Sequence, residues 1–371
     1  MSNDSIIPYT LDDYFQSTPL GSVDKAIGNN LWGFNHRQVP GMVPINKDSY
    51  GMTFFVRPQL NLQSDNVRNV RLFYPLLTTN SQSIQRFVRC TLDPRVNVGY
   101  VRGKNKANVP GLDCEFVDPL NAFIPILSNN LNAISGWPDV VSPVFQSKAG
   151  LYQEEYAQVD GIVKNYTSFD LTATFRNTRG DPIVYLFYIW LHYQSLVFEG
   201  QVVPYPDFIV ENEIDYMTRI YRIVLDPEKR FVRKIGATGV SFPTSVPIGE
   251  FLDYNNDTPF NLQNKDISVR FKSLGAMYQD DILIKEFNKT VAIFNPFMRE
   301  ENIAAGSYVI KVHPSLLGYF NNRGYPRINP NTYELEWYVT ADMFNNRIKT
   351  LTAMKATNQL QNQVVNDLNI I

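Results

Sequence analysis

The segment DLTATFRN, residues 170–177, alternates polar and apolar positions more regularly than the rest of the chain. Two sets of side chains alternate there: Asp170, Thr172 and Thr174 against Leu171, Ala173 and Phe175. Because successive side chains of a strand point to opposite faces, the pattern predicts a strand with one buried face.

The next segment, residues 183–198, is almost entirely apolar. Four of its residues recur at helical spacing: Ile183, Leu186, Phe187 and Trp190. Asp181 and Pro182 precede them and predict a helix start, with the Asp181 oxygen as N-cap and Pro182 as the first helical residue. The run is shorter than the roughly 20 residues that a bilayer requires, and His192 and Gln194 interrupt it, so we expect no membrane span.

This helix is apolar nearly all round, because Val184, Tyr188 and Ile189 widen its apolar side. Such a helix needs cover on more than one side. We therefore expect Trp190 to pack on the chain's own sheet, and Tyr188 or Ile189 to face a neighbouring subunit.

A long β-hairpin is predicted over residues 215–242, where aliphatic residues run on both sides of the tetrapeptide DPEK. Pro227 occupies the second position of this turn, which suits a type I turn. The arms measure about a dozen residues each, against a usual strand length of about five or six. We expect so long a hairpin to extend beyond the chain's own core, and Pro227 to lie at an assembly contact.

The segment that starts at Asp266 repeats the order of the segment that starts at Asp170. An alternating strand is followed by a polar turn, and Asp280 can then cap a helix that carries Leu283, Phe287, Val291 and Phe294. The similarity makes residues 266 onwards a candidate internal duplication.

Three shorter elements have clear patterns. Residues 83–90 predict a helix, and residues 334–339 predict a core strand. Apolar residues at helical spacing between Phe123 and Ile134 predict a second helix, which starts near Pro125 and ends at Gly136.

The two ends of the chain differ from its middle. Residues 1–48 contain many Pro and Gly and no periodic segment, yet include Trp32 and Phe34, so we expect an arm that docks on another surface. Residues 341–371 contain no Gly or Pro and carry an apolar helical stripe. They predict a C-terminal helix.

The composition removes several functional classes. Of 371 residues, 19% are charged and the net charge is −2, which argues against a dedicated nucleic-acid binder. The 36 Asn residues favour turns and loops. Two cysteines, Cys90 and Cys114, are too few for a disulfide framework, although one bridge stays open.

No pattern of catalytic or metal-binding residues is present. The three histidines, His36, His192 and His313, have no second His or Cys at ligand spacing, and no phosphate-binding glycine loop or GxSxG motif occurs. We therefore expect no enzymatic activity, no cofactor and no metal. Carboxylates such as Asp118 and Asp139 would have to be brought together by the fold to act as a catalytic pair.

Three segments together resemble the tail-tube and baseplate-tube proteins of large contractile-tailed bacteriophages. They are residues 169–194, the hairpin at 212–245, and DISVRFKSLGAMYQDD at 266–281. The resemblance covers about residues 150–290. It implies an α+β, β-rich fold: a tube-like antiparallel sheet with a packed amphipathic helix and a long β-hairpin, plus an N-terminal arm and a C-terminal helix.

With this resemblance, the chain divides into four regions. They are an arm at 1–48, an accessory α+β region at 49–145, a tube-like β-rich domain at 146–340 and a helix at 341–371. The resemblance implies a structural subunit that forms a homo-oligomeric ring around a lumen and contacts other virion tail proteins. It further implies contact of the lumen with passing DNA without sequence recognition, a virion tail location, and assembly in the host cytoplasm.

Other readings stay open at this point. The additional regions also suit a neck, connector or hub component of the virion. The Asn and aromatic content suits a carbohydrate- or receptor-binding β module, and a hydrolase would need convergent carboxylates. For the assembly interface we name Trp32, Phe34, Tyr188, Ile189 and Pro227.

Overall fold

The computed structural model describes residues 50–98, 114, 116–163, 167–253, 256–257, 266–347 and 349. The strands in chain order are β1 (Gly51–Phe55), β2 (Leu131–Ser135), β3 (Val144–Gln146), β4 (Ala157–Val159), β5 (Ser168–Phe175), β6 (Ile220–Leu225), β7 (Val232–Ser245), β8 (Ile267–Tyr278), β9 (Val309–Val312), β10 (Tyr325–Ile328) and β11 (Leu335–Thr340). The helices are α1 (Ser64–Val67), α2 (Ile84–Leu92), α3 (Pro94–Val98), α4 (Pro125–Asn129), α5 (Pro182–Phe198), α6 (Pro206–Glu211), α7 (Ile248–Leu252), α8 (Asp281–Phe294) and α9 (Glu300–Ala305). Three 3₁₀ helices cover Tyr74–Leu77, Pro296–Met298 and Pro314–Phe320.

The main sheet has six strands in the order β1-β6-β7-β8-β5-β2, and every neighbouring pair is antiparallel. Its two edge strands come from the accessory region, and its four inner strands come from the β-rich region. The two regions therefore share one sheet. A smaller sheet, β10-β11-β9, and the isolated pair β3-β4 complete the described strands.

Strand β5 has the alternation that its sequence predicts. Leu171, Ala173 and Phe175 have no exposed surface, whereas Asp170 is exposed. Strand β8 alternates in the same way opposite it, so one side of this part of the sheet is apolar and the other is polar.

Helix α5 begins at Pro182 as expected, but Asp181 does not cap it. Asp181 lies in the left-handed region (φ 50°, ψ 42°), whereas a capping residue needs an extended conformation to reach the first free N–H groups. Its carboxylate instead accepts a hydrogen bond from Asn177 Nδ2 at 2.7 Å. The Asp181 cap is therefore corrected, and Pro182 keeps its predicted place.

One hydrophobic cluster surrounds α5. Its six buried residues are Ile183, Leu186, Phe187, Ile189, Trp190 and Tyr193. The ring centroid of Phe187 lies 5.7 Å from those of Phe175 in β5 and Phe271 in β8. The helix therefore packs on the apolar side of the sheet. Helix α2 of the accessory region packs on α5 as well. The chain itself thus supplies cover on more than one side of this helix.

A second cluster surrounds α8 and lies against β1, β6, β7 and the small sheet. The Asp280 carboxylate accepts from Ile282 N at 2.9 Å, as the predicted cap requires. Phe287 is fully buried and lies within 5.3 Å of both Phe54 and Tyr221. The strand-then-helix order of β5–α5 thus recurs in β8–α8, whereas common origin stays a prediction.

The predicted helix between residues 123 and 136 is wrong over most of its length. Only Pro125–Asn129 is helical, and Leu131–Ser135 is strand β2, which pairs with β5. Pairing with a distant strand outweighs the local helical spacing, which sequence inspection cannot weigh.

The hairpin at 215–242 also differs from expectation. Strand β6 has 6 residues and β7 has 14, and both are inner strands of the sheet, so this hairpin does not project from the core. Its turn is as predicted: Lys229 N donates to Asp226 O at 2.9 Å, around an exposed Pro227.

The remaining elements agree with the sequence patterns where the structure describes them. Helix α2 and strand β11 contain the segments predicted as helix and strand. Residues 341–347 and 349 are helical, while the rest of the predicted C-terminal helix and the arm at 1–48 lie outside the described residues. Among the helices of the described ranges, none is long and apolar enough to cross a membrane.

Candidate assembly surface

A two-stranded hairpin built on β3 and β4 projects from the fold; we call residues 143–160 the projecting hairpin. Backbone hydrogen bonds hold it together from base to tip: Asp160 N to Pro143 O, Ser147 N to Tyr156 O, and Gly150 N to Glu154 O, each at 2.8–2.9 Å. At about 3.4 Å per residue, the run from Val144 to Gly150 extends roughly 20 Å.

The apolar residues in and around this hairpin face solvent. Their exposed fractions are 60% for Val144, 47% for Phe145, 88% for Leu151, 87% for Tyr152, 61% for Tyr156 and 67% for Val159, and flanking residues Val140, Val141 and Ile162 reach 63%, 64% and 87%. Every residue of β3 and β4 is exposed. Exposed apolar groups concentrated in one segment mark an interaction site.

The base of the projecting hairpin is anchored. Trp137 packs on Phe169 of β5 and Tyr278 of β8, with ring centroids 6.5 and 6.1 Å apart, and Tyr278 Oη donates to Pro138 O at 2.7 Å. The end of β2 and the inner strands therefore fix the point from which the hairpin leaves the sheet.

The polar side of β5 and β8 forms a second candidate surface, which we call the polar face. Asp170 pairs with Lys272 across the two strands at 3.0 Å, and Thr172 and Thr174 lie opposite Arg270 and Ser268. Ser268, Arg270 and Asp170 are exposed and the two threonines are half-buried. This face is hydrophilic and carries both signs of charge.

The two edges of the sheet differ. Residues 122–124 pair with the end of β1, because Ile124 N donates to Phe55 O and Arg57 N donates to Ala122 O, both at 2.9 Å. Strand β2 is the last strand at the other edge, and no other described strand pairs with its outer side.

Buried polar contacts within the accessory region hold its loops and α2 on the end of β1. Arg57, 3% exposed, donates to the carbonyls of Thr91, Asp118, Asn121 and Cys90, and burial lowers its pKa to about 10. Because main-chain oxygens take its donors, the side chain links α2 and residues 118–121 to the end of β1.

Two buried carboxylates complete the junction. Asp93 accepts from Leu62 N at 2.8 Å and from Tyr205 Oη at 2.9 Å, and Asp215 accepts from Tyr193 Oη. Burial raises the pKa of each carboxyl from 3.8 to about 6. Tyr193 Oη also accepts from Asn61 N at 3.1 Å, so α5 is bonded to the accessory region.

The residues proposed for the interface fall in different environments. Tyr188 is half-buried on α5, where its ring lies 6.4 Å from Tyr185 and 4.4 Å from His192. Ile189 has no exposed surface and packs in the α5 cluster, so the expectation that it faces a neighbour is corrected. Trp32 and Phe34 lie outside the described residues.

Trp190 lies where its prediction places it. It is fully buried, its ring stacks on Phe187 with centroids 6.0 Å apart, and its Nε1 donates to Tyr216 O at 2.9 Å. The projecting hairpin was not predicted, although its apolar residues could have been found as a short alternating pattern between Pro143 and Gly161.

The two carboxylates considered as a hydrolytic pair, Asp118 and Asp139, lie in different environments. Asp118 accepts from Tyr325 Oη and from Leu120 N, both at 2.9 Å, whereas Asp139 is exposed at the base of the projecting hairpin. Over the described ranges, no three His, Cys, Asp or Glu side chains form a group that could hold a metal ion.

Cys90 and Cys114 are both buried, and neither forms a disulfide. Burial, and secondarily the nearby Cys114, raises the pKa of Cys90 to about 12, which keeps its thiol protonated and unreactive.

Residues 10–355 match the model of a protein family described as "Putative phage tail tube protein". The match covers nearly the whole chain. The chain belongs to this family. Its members are structural proteins of the virion tail, so this chain has a structural role in a phage tail.

Three solved structures are similar to parts of this tail protein. One is a sheath/tube terminator of the PVC extracellular contractile injection system in its extended state, with 12% identity over 43% of this chain and 87% of that chain, at a TM-score of 0.23. The tube-terminating cap of the anti-feeding prophage has 12% identity over 43% and 83% of the two chains, at 0.25. A chain of the PVC sheath-tube complex has 13% identity over 42% and 82%, at 0.23. Among curated protein sequences, none matches.

Proposed function

We propose that this tail protein is a ring-forming subunit that assembles with copies of itself around a lumen. The observation that carries the proposal is the projecting hairpin, whose six large apolar side chains are 47–88% exposed. Apolar groups concentrated in this way favour association, because covering them with another protein removes them from water. Ring closure would also remove the open edge at β2, which otherwise invites aggregation.

In this proposal the polar face lines the lumen. Its threonines, Arg270 and the Asp170–Lys272 pair give a wet surface of mixed charge, past which DNA can move without sequence-specific contact. Base-specific binding would need donors held at fixed positions in a groove, and a basic surface besides.

The remaining parts of the proposal concern the tail as a whole. The arm at 1–48, with Trp32 and Phe34, and the helix at 341–371 would dock on neighbouring subunits or on other tail proteins, and Tyr188 and Pro227 would contribute contacts. The subunit would assemble in the host cytoplasm, without enzymatic activity or a cofactor. The hydrogen bonds of Asp118 to Tyr325 and Leu120 support a structural role for this carboxylate.

The test compares the full chain with a variant in which residues 144–159 are replaced by a short Gly-Ser linker. Light scattering after size exclusion measures the assembly state, and negative-stain imaging looks for rings. We expect rings from the parent chain and monomers from the variant, with equal melting temperatures because the hairpin contacts no core cluster.

A matched control is Phe198→Ser, which removes another exposed apolar side chain, 93% exposed at the end of α5. It should assemble like the parent. A parent chain that stays monomeric at all concentrations and never enters a tail would refute the proposed function.

A further inference from the structure

We propose that the projecting hairpin of one copy pairs with the open edge of β2 in a second copy and extends its sheet. This inference rests on the proposed ring formation and names the surface that receives the hairpin. The occupant is a second copy of this chain, and the contact is backbone pairing between β2 and either β3 or β4.

The outer edge of β2 carries few of the features that usually prevent strand pairing. Exposed sheet edges in soluble proteins are protected by charged residues, proline, bulges, very short strands or a covering segment. Strand β2 has the sequence LNAIS, without charge or proline, and a register shift between Leu131 and Ala133 is its only irregularity. At the opposite edge, residues 122–124 of the same chain pair with the end of β1. Among the described residues, no strand pairs with the outer side of β2.

The projecting hairpin has two strands and no third strand beside them in the described chain. A two-stranded hairpin is at best marginally stable in water and needs a third strand or a packing surface. Strands β3 and β4 have the sequences VFQ and AQV, again without charge or proline, and every residue is exposed. The strands β2, β3 and β4 thus carry neither charge nor proline, and no third described strand pairs with β3–β4 or with the outer side of β2, as expected of strands that pair in the assembled state.

The hairpin base is held at a fixed place beside the sheet. Trp137 and Pro138 fix the hairpin base against β5 and β8, and the hairpin leaves the sheet from the end of β2. Because one end of this contact is a sheet edge and the other is a separate hairpin, the contact joins different surfaces of two copies. Such head-to-tail contacts form closed rings when the rotation between copies closes.

The hairpin and its flanking residues are large enough for a stable contact. Standard interfaces use about 20–30 residues on each side. The projecting hairpin together with its flanks, residues 139–163, contains 25 residues, and nine of their apolar side chains are at least 47% exposed. The exposed Val144 and Val159 lie directly opposite each other, so a third strand beside either of them would cover both.

Disulfide trapping tests the pairing. Two full-length variants are mixed before assembly: one carries Ala133→Cys in β2, and the other carries Val144→Cys or Val159→Cys in the hairpin. Neighbouring antiparallel residues have Cα atoms about 4.5–5.5 Å apart, which a disulfide spans. The next strand is about 4.8 Å further away, so the more efficient of the two hairpin variants identifies the paired strand.

Ser307→Cys, in an exposed turn after α9, is the control for random encounter. Because apposed cysteines have a high effective concentration, we expect cross-linking at least about tenfold above this control. If Ala133→Cys prevents assembly, Ser135→Cys, also exposed on β2, takes its place.

The outcomes separate this inference from the proposed function. Rings that form without cross-links between β2 and the hairpin would overturn the pairing and leave ring formation standing. A chain that carries both cysteines and forms the disulfide as a monomer would show that the hairpin pairs with β2 of the same copy. That result would overturn the pairing between copies. Cross-linking of Ala133→Cys to a cysteine at Trp32 or Phe34 in place of the hairpin would assign the edge to the N-terminal arm. A chain that forms no rings at all would refute both.

Discussion

Glu336 is buried in the small sheet, where four side chains donate to its carboxylate. Lys311 Nζ lies at 2.9 Å, Arg327 Nη1 at 3.3 Å, Asn329 Nδ2 at 3.1 Å and Tyr338 Oη at 2.8 Å. Burial alone would raise the pKa of Glu336, but these hydrogen bonds outweigh it and lower the pKa. The carboxylate therefore joins β9, β10 and β11.

Replacing Glu336 with Gln should destabilise the fold by about 1–3 kcal/mol, because the amide keeps the shape but removes the buried charge that Lys311 and Arg327 share. Urea unfolding measures the change. Glu300→Gln is the matched control, because Glu300 is 78% exposed and its carboxylate forms a long ion pair with Arg327, with 3.8 Å between Oε1 and Nη2. The control should cost less than about 0.5 kcal/mol, and equal losses in the two variants would contradict the assignment.

Asp215 makes stability depend on pH in a defined window. Burial raises its pKa from 3.8 to about 6, so the folded chain binds this proton more tightly than the unfolded chain does. The contribution of this proton to the free energy of unfolding is fully present below about pH 4 and is lost as the pH rises through about 6.

The variant Asp215→Asn stays neutral and lacks this loss. Its free energy of unfolding relative to the parent should increase by about 3 kcal/mol between pH 4 and 7, from a shift of roughly two pKa units. The difference should be constant above about pH 7. Urea titrations at several pH values measure it, and a difference that is flat across the window would exclude the raised pKa.

At the scale of elements, α5 separates folding from assembly. Trp190 is fully buried and hydrogen-bonded, whereas Tyr188 is half-buried beside Tyr185. Trp190→Ala should cost about 3–5 kcal/mol, and Tyr188→Ala about 1 kcal/mol.

The assembly state of the two variants distinguishes their roles. Tyr188→Ala should keep the melting curve close to that of the parent while weakening ring formation in light scattering. Intact assembly in Tyr188→Ala would remove Tyr188 from the interface, and unchanged stability in Trp190→Ala would contradict its place in the core.

Local patterns predict the elements whose burial follows from their own periodicity. Strand β5 and helix α5 are of this kind, because their apolar residues face the core. The Asp280 cap of α8 is also predicted locally, because its side chain bonds to a residue two positions away. Strand β2 could not be predicted, since its pairing with β5 depends on residues about 40 positions away. The Asp181 cap failed because left-handed backbone geometry is not encoded in residue type alone.

The candidate surface was harder to predict than the fold. Residues 143–160 are uncharged in their strands but too short and too exposed to give a core-forming pattern. Tyr188 and Ile189 were equivalent in sequence, and only packing against the sheet and α2 shows that Ile189 is the buried one.

At the scale of the whole molecule, a shared sheet joins the accessory and β-rich regions, so the hairpin, the polar face and the β2 edge are held in fixed relation. The inner strands give the polar face, the accessory region gives both edges, and Trp137 positions the hairpin. In the proposed ring, this arrangement would separate a surface for the lumen from surfaces for neighbouring copies.

Ring closure through the projecting hairpin can be seen in a cryo-electron microscopy map of assembled tails in which this chain is located. We expect a closed ring in which residues 143–160 lie against an adjacent copy and the polar face lines the lumen. A map in which the chain forms no ring, or in which the hairpin extends into solvent away from any other copy, would contradict it.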